Sequence, residues 1–158
     1  MAYKSMTTDE DLWKLAKRFS IPVNSICFKD KLNDNSPSAG GYIINLPDSS
    51  THGTHWTALW LDDPFEAQYD RKRSSNASNK SRCAYFDSFG IAPPLAVEEF
   101  CRRYGCHKIL MSSKQYQSIQ SGHCGQYCID FLAFMSKNKH VPMEKRYQIF
   151  VSQFDPLN

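Results

Sequence analysis

The sequence contains no apolar run of 18 residues, so we expect no membrane-spanning helix. Its first residues lead directly into charged positions and form no apolar signal segment, so we do not expect secretion. No internal repeat is present. The 158 residues, 41% hydrophobic and 13% aromatic, instead predict a single globular domain over residues 1–158.

The cysteines include no Cys-x-x-Cys pair. The six of them are Cys27, Cys83, Cys101, Cys106, Cys124 and Cys128. In a chain without a secretion signal, we expect free thiols rather than a disulfide framework. Their spacing fits no common zinc finger or ribbon, so we predict no metal site.

The net charge of +3 is unevenly placed. Residues 63–82 are polar and basic, and we interpret them as a surface insertion rather than a linker between domains. Five basic residues lie within twelve positions that contain no acid, namely Arg71, Lys72, Arg73, Lys80 and Arg82. Such a cluster suits nucleic acid or an acidic partner, but the absence of interleaved aromatic residues favours a solvated loop.

The apolar pattern predicts an α+β fold with a small, mixed, mainly antiparallel sheet beside helices. The first helix follows a predicted capping box, with Thr7 three residues before Glu10. Further helices are predicted after Pro93-Pro94, from Cys124 and after Pro142. Strands are predicted at 41–46, 55–62, 83–87 and 108–111, and a loop is predicted at 29–41. The strands that flank the insertion are expected to pair as a hairpin.

A polar loop, residues 117–122, leads into Cys124, after which the pattern turns apolar. This predicts a buried helix of about three turns with Cys124 in its first turn. Free backbone N–H groups and the helix dipole favour a thiolate there. Gly122 and Gly125 leave room for a substrate backbone. The stretch fits a nucleophilic cysteine, and it also fits a buried structural cysteine at a helix start.

A cysteine nucleophile needs a base within hydrogen-bond reach and a group that orients the base. Among the histidines, His55 is best placed because it begins a strand directly after a turn. Asp87 ends the strand expected to pair with it, so we expect the carboxylate to reach the imidazole Nδ1. The backbone N–H of Cys124 and the side-chain amide of Gln117 or Gln120 are candidates for binding an oxyanion. Taken singly, each residue also has an ordinary structural explanation.

The set resembles a known family. His55-Trp56, the run Tyr85-Phe86-Asp87-Ser88-Phe89-Gly90, and Gln117 seven residues before Cys124-Gly125 occur in this order. In order and motif they resemble the adenovirus-type maturation proteases. The SUMO and ubiquitin-like-protein proteases share the His, Asp, Gln, Cys arrangement. The resemblance covers most of residues 7–136, and the chain is similar to virus and virophage capsid-maturation proteases of this clan.

The resemblance implies that His55 is the general base, that Asp87 orients it and that Cys124 attacks the scissile carbonyl. Gln117 is implied to help form the oxyanion hole, being preferred over Gln120 by its spacing to the cysteine. The implied fold is a small sheet packed against the helix that starts with the nucleophile. Residues expected to contact substrate are Trp56, Gly122 and Gly125.

The function implied is a cysteine endopeptidase that processes viral capsid precursors, at glycine-containing sites, through an acyl-enzyme. We expect a monomer in the virion and infected cell. The family's activating peptide and DNA are potential cofactors, and Cys106 lies where the family carries its peptide-linking cysteine, although an inert thiol is favoured there. One alternative is an isopeptidase acting on ubiquitin-like modifiers with the same residues. Another is a virion protein that binds DNA through residues 71–82.

Overall fold

The computed structural model describes residues 8–47, 54–64, 82–116 and 123–154. Within these ranges five strands form one sheet in the order β1-β2-β3-β4-β5. The strands are β1 (Val23–Phe28), β2 (Gly40–Asn45), β3 (Trp56–Leu61), β4 (Cys83–Phe86) and β5 (Ile109–Leu110). The helices are α1 (Asp9–Arg18), α2 (Leu95–Arg103), α3 (Cys124–Lys137) and α4 (Met143–Ser152), with a 3-10 helix at Lys29–Asp34.

The sheet is mixed, and the predicted α+β class is confirmed. The central strands β2, β3 and β4 pair antiparallel, as predicted for the two strands that flank the insertion. The outer pairs, β1 with β2 and β4 with β5, are parallel. Parallel neighbours need a crossover connection, which the 3-10 helix supplies on one side and α2 on the other. Antiparallel pairing is thus confined to the centre of the sheet.

The three central strands are buried at every position because both faces of the sheet are covered. On one face, Ile43 and Phe86 join a core formed with α1, α3 and α4. On the other face, Tyr42 and Tyr85 pack with the 3-10 helix and α2. Alternate residues of each strand therefore face opposite cores. The described part of the chain contains no helix long and apolar enough to cross a membrane.

Helix α3 lies against the sheet and begins with Cys124. Its 14 residues make about four turns, one more than the sequence pattern indicated. A glycine in β2 permits the close approach, since a Cβ at Gly41 would come within 3.0 Å of the Leu132 side chain. The apolar residues that follow Cys124 therefore fix its position relative to β2 and β3.

A buried ion pair attaches α4 to the end of β3. Arg146 donates from both terminal guanidinium nitrogens to the two carboxylate oxygens of Asp62, at 3.1 and 2.7 Å. The same guanidinium donates to the carbonyl of Met135, and the Trp60 indole donates to Asp62 at 2.7 Å. Buried charges persist when they are paired and hydrogen-bonded in this way. Asp62 is therefore engaged in this ion pair, at the end of β3 that lies away from His55.

Two local predictions were wrong in detail. Helix α1 is capped by Thr8, whose hydroxyl accepts from the Asp11 N–H while the Asp11 carboxylate accepts from the Thr8 N–H. The predicted box at Thr7 and Glu10 is shifted by one position because both pairs have the required spacing. Thr7 itself lies outside the described residues. The 29–41 stretch, predicted as a loop, contains the 3-10 helix at Lys29–Asp34.

The prediction of free thiols was wrong for one pair of cysteines. Cys83 and Cys106 form a disulfide, with their Cα atoms 6.4 Å apart, whereas the remaining four cysteines are free. The parallel pairing of Cys83 with Ile109 brings the start of β4 beside the residues that precede β5. Sequence spacing alone does not reveal such a contact. Cys106 is therefore not the inert free thiol that the sequence favoured.

Most of the basic insertion lies outside the described residues, including Arg71, Lys72, Arg73 and Lys80. Arg82 is described, and its guanidinium lies 5.6 Å from the centre of the Tyr104 ring. It also donates to the carbonyl of Gly105 at 3.4 Å. This arginine is thus held against the turn that follows α2, where Gly105 adopts a φ of +90°.

Candidate active site

His55 lies one residue before β3 and is held through its backbone. Its N–H donates to the side-chain oxygen of Asn45 at 3.0 Å, and its carbonyl accepts from the Leu46 N–H at 3.0 Å. Asn45 is the last residue of β2 and is buried. The end of β2 therefore fixes the backbone from which the imidazole projects. No sequence pattern indicated this role for Asn45, because a side chain that binds a distant backbone amide leaves no periodic signal.

The imidazole of His55 contacts Asp87, which follows β4 directly. Nε2 lies 2.7 Å from Oδ1 of the carboxylate. The antiparallel pairing of β3 and β4 brings the two residues together, as predicted. The predicted nitrogen was wrong, since the contact uses Nε2 and not Nδ1. Strand pairing places the two residues but does not set the rotation of the ring about its side-chain torsions.

Phe89 contacts the flat face of the same imidazole. The two ring centres are 3.9 Å apart and the ring planes differ by 2°. The Phe89 N–H donates to Oδ1 of Asp87 at 2.8 Å, so this oxygen accepts from both Phe89 and His55. The sequence motif contains Phe89, yet nothing in its pattern distinguished this ring from an ordinary apolar residue.

Cys124 reaches the site from the first turn of α3. Its sulfur accepts a hydrogen bond from the Trp56 N–H at 3.5 Å. The Trp56 side chain is only 5% exposed and belongs to the core. Trp56 was predicted to contact substrate, but its visible contribution to the site is this backbone donor. The preceding His123 makes no side-chain hydrogen bond that caps the helix.

The pKa values of His55 and Cys124 are shifted in opposite directions. Burial lowers the pKa of His55, but the hydrogen bond to Asp87 and the interaction with the Cys124 thiol outweigh it and raise the pKa to about 9. Burial raises the pKa of the Cys124 thiol, yet the interaction with the His55 imidazole and the hydrogen bonds from the Trp56 and Gly125 N–H groups lower it overall. Together these shifts favour proton transfer from the thiol to the imidazole.

The second imidazole nitrogen is left for the thiol. Nδ1 of His55 is buried and has no hydrogen-bond partner by distance and angle among the described residues. Because Nε2 is occupied by Asp87, Nδ1 is the nitrogen through which Cys124 acts on the ring. Such a pair can exist as a thiolate beside an imidazolium, which is a nucleophile next to a proton donor.

The structure thus brings together His55, Asp87, Cys124, Trp56 and Gly125. Gly125 is buried beside the sulfur and leaves the first turn of α3 without a side chain at that point. The predicted oxyanion residue Gln117, its rival Gln120, and Gly122 lie outside the described residues. Within the described residues, no group of three or more metal-ligating side chains is close enough to hold a metal ion.

No protein-family model matches the chain, and no curated protein is similar to it in sequence. Comparison with solved structures gives the chain the fold of SUMO-protease-like cysteine proteases, confirming the predicted fold. One such structure is the crystal structure of the Se-Met ASFV pS273R protease. It is similar over 98% of this chain and 70% of its own, with a TM-score of 0.53. Because the sequence identity is 15%, this likeness concerns the fold, and the narrower adenovirus-type assignment stays a prediction.

Proposed function

We propose that this protein is a cysteine protease in which Cys124 is the nucleophile and His55 the general base. The observation that carries the proposal is the arrangement around one imidazole. Nε2 is held by Asp87 at 2.7 Å, and the other nitrogen is left for a thiol of lowered pKa. Nucleophile, base and orienting group are the components that cysteine proteases combine. A structural cysteine alone would not require a buried carboxylate behind the histidine.

In the proposed reaction, the Cys124 thiolate attacks the carbonyl carbon of the scissile peptide bond. The His55 imidazolium gives its proton to the departing amine, which leaves an acyl group on the sulfur as a thioester. Water then attacks the thioester while His55 takes a proton from it. The carboxylic acid departs and the sulfur recovers its initial state. Asp87 keeps the imidazole oriented and stabilises its charged form in both half-reactions.

The negative oxygen formed during each attack needs hydrogen-bond donors. The backbone N–H of Cys124, at the free N-terminal end of α3, is one proposed donor. The side-chain amide of Gln117 is the second, as the family resemblance implies. The Trp56 N–H has a different task, because it donates to the sulfur and thereby stabilises the thiolate before attack. Gly122 and Gly125 are proposed to leave room for the substrate backbone.

The proposed substrates are viral structural precursor proteins, with cleavage at glycine-containing sites in the infected cell or virion. The support is the order of the sequence motifs together with a fold shared with the ASFV pS273R protease. A second candidate is an isopeptidase that releases ubiquitin-like modifiers. The same fold favours it, since SUMO-protease-like enzymes have this architecture. Both candidates use the same residues and differ in the protein they bind.

Cleavage assays with two substrate sets test the proposal. Wild-type protein and Cys124→Ala are incubated with the structural precursors of the source virus and, separately, with fusions of ubiquitin-like modifiers. Fragments are identified by mass spectrometry. We expect precursor fragments with the wild type alone, and release of modifiers would favour the second candidate. Cys27→Ala, which removes another free thiol away from the site, is the matched control and is expected to cleave normally. Equal cleavage by Cys124→Ala would overturn the assignment.

A further inference from the structure

The segment Asp87–Gly90 holds the His55 imidazole by its edge and by its face. At the edge, Asp87 accepts from Nε2, and at the face, the Phe89 ring lies parallel at 3.9 Å. The two contacts are coupled because the Phe89 N–H donates to the same Asp87 oxygen at 2.8 Å. A change in the position of Phe89 would therefore disturb both.

This segment is itself firmly supported. The Gly90 N–H donates to the Asp87 carbonyl at 2.9 Å, and the Ser88 carbonyl accepts from the Tyr116 N–H at 2.8 Å. Gly90 has a φ of +75°, and a Cβ there would come within 2.7 Å of the Lys114 backbone. Only glycine fits such a position without strain. The turn is thus locked against residues 113–116, and Phe89 has a rigid base from which to hold another ring.

The geometry of the stack matches a charged imidazole better than a neutral one. Neutral aromatic rings prefer offset or edge-on contacts with centres farther apart than the 3.9 Å found between Phe89 and His55. Close face-to-face overlap becomes favourable when one ring carries a positive charge, because the π face is negative. The two titratable groups that act on His55, Asp87 and Cys124, both also favour its protonated form.

We propose that Phe89 is a positioning residue of the protease, which keeps the imidazole plane aligned between Asp87 and Cys124 and stabilises the imidazolium. This inference rests on the proposed function. Phe89 touches no reacting atom in the mechanism and acts through His55. Its role differs from simple packing because it depends on an aromatic face and on the charge of its partner.

Substitutions at Phe89 distinguish the effect of its aromatic ring from the effect of its apolar bulk. Phe89→Leu keeps an apolar cover over the imidazole but removes the π face. We expect kcat to fall about tenfold with KM nearly unchanged, because a misaligned base affects the chemical step. The alkaline limb of the pH profile should move down by roughly half a pH unit as the imidazolium loses its stacking partner. Phe89→Tyr retains the ring and is expected to restore both values.

A measurement on the wild type keeps the proposal testable if Phe89→Leu does not fold. Nuclear magnetic resonance of the His55 ring should show its carbon-bound protons shifted upfield by the parallel Phe89 ring. Unshifted protons would overturn the proposal, as would a folded Phe89→Leu with wild-type kcat and pH profile. Neither result would affect the proposed function, because cleavage that depends on Cys124 would remain. If cleavage did not depend on Cys124, the proposed function itself would be overturned, and this inference would fall with it.

Discussion

His55 and Asp87 are 32 positions apart in the chain, yet Nε2 of one lies 2.7 Å from Oδ1 of the other. The contact is nearly closed to solvent, with the Asp87 side chain 1% exposed. A buried carboxylate is costly unless a charged or hydrogen-bonding partner compensates it. The pair therefore stabilises a protonated imidazole and directs its other nitrogen towards Cys124.

Asp87→Asn should reduce kcat strongly, by roughly a hundredfold or more, because the amide removes the charge that stabilises the imidazolium. The side chain keeps its size, so the free energy of unfolding should change less than turnover does. Steady-state kinetics and thermal unfolding of the same sample check both expectations. Asp130→Asn is the matched control, since Asp130 is an exposed residue of α3. Equal kcat in Asp87→Asn and wild type would contradict the proposed role.

The activity should show a bell-shaped dependence on pH. Its acid limb reports formation of the Cys124 thiolate, at a pKa below the usual 9.0. Its alkaline limb reports loss of the His55 proton near pH 9. The raised pKa of His55 also sets a sign for stability. The contribution of its charged form is complete below its usual value of 6.5 and is lost as the pH rises through about 9.

Activity profiles and the ultraviolet absorbance of the thiolate measure these limbs. In Asp87→Asn the alkaline limb should move to lower pH, because the carboxylate that raises the pKa of His55 is gone. An alkaline limb that stays in place in this variant would show that another group titrates there.

Asn45→Ala should lower turnover without touching any reacting group. It removes the acceptor for the His55 N–H and leaves this donor poorly paired, at a cost of about 1–3 kcal/mol. The backbone that carries the imidazole then loses one of its two anchors. Asn24→Ala is the matched control, because Asn24 ties the loop before β2 through bonds to Ser38 and Ala39. We expect both variants to be less stable than the wild type. Only Asn45→Ala should also have a lower kcat.

Removal of the Cys83–Cys106 disulfide should destabilise the fold while sparing the site. The bond closes a loop of 23 residues, which corresponds to about 3 kcal/mol in the chain-entropy account. Thermal unfolding of Cys83→Ser, or of wild type with and without reductant, measures the loss. Cys27→Ser serves as the control because Cys27 is free. Six reactive thiols in the denatured, unreduced protein would contradict the disulfide, and a partner linked through Cys106 on non-reducing gels would do the same.

The parts of the fold that depend on apolar periodicity could be predicted from the sequence. The buried strands around Ile43 and Trp60 and the helix that begins at Cys124 carry continuous apolar patterns. Strand β1 was missed because Asn24 and Ser25 interrupt its pattern and it lies at the edge of the sheet. The two parallel pairs, and with them the disulfide, depend on crossovers that no local pattern encodes.

The candidate site likewise contains residues that could be predicted from the sequence and residues that could not. His55, Asp87 and Cys124 could be selected because each ends or begins an element and because their order matches a family. Asn45 and Phe89 could not, since each acts through one long-range contact to His55. The Nε2 contact was missed because it depends on a ring rotation. The predicted roles of Gln117 and of the basic cluster stay predictions, as these residues lie outside the described part of the chain.

The central claim is that Cys124 carries the acyl group during peptide cleavage, and trapping that group tests it most directly. The protein is mixed with a slowly hydrolysed acylating peptide, quenched in acid and digested, and the modified residue is located by mass spectrometry. The account predicts a thioester on Cys124 in the wild type, a much smaller amount in His55→Ala and none in Cys124→Ala. Acylation of another cysteine, or peptide cleavage that continues unchanged in Cys124→Ala, would contradict it.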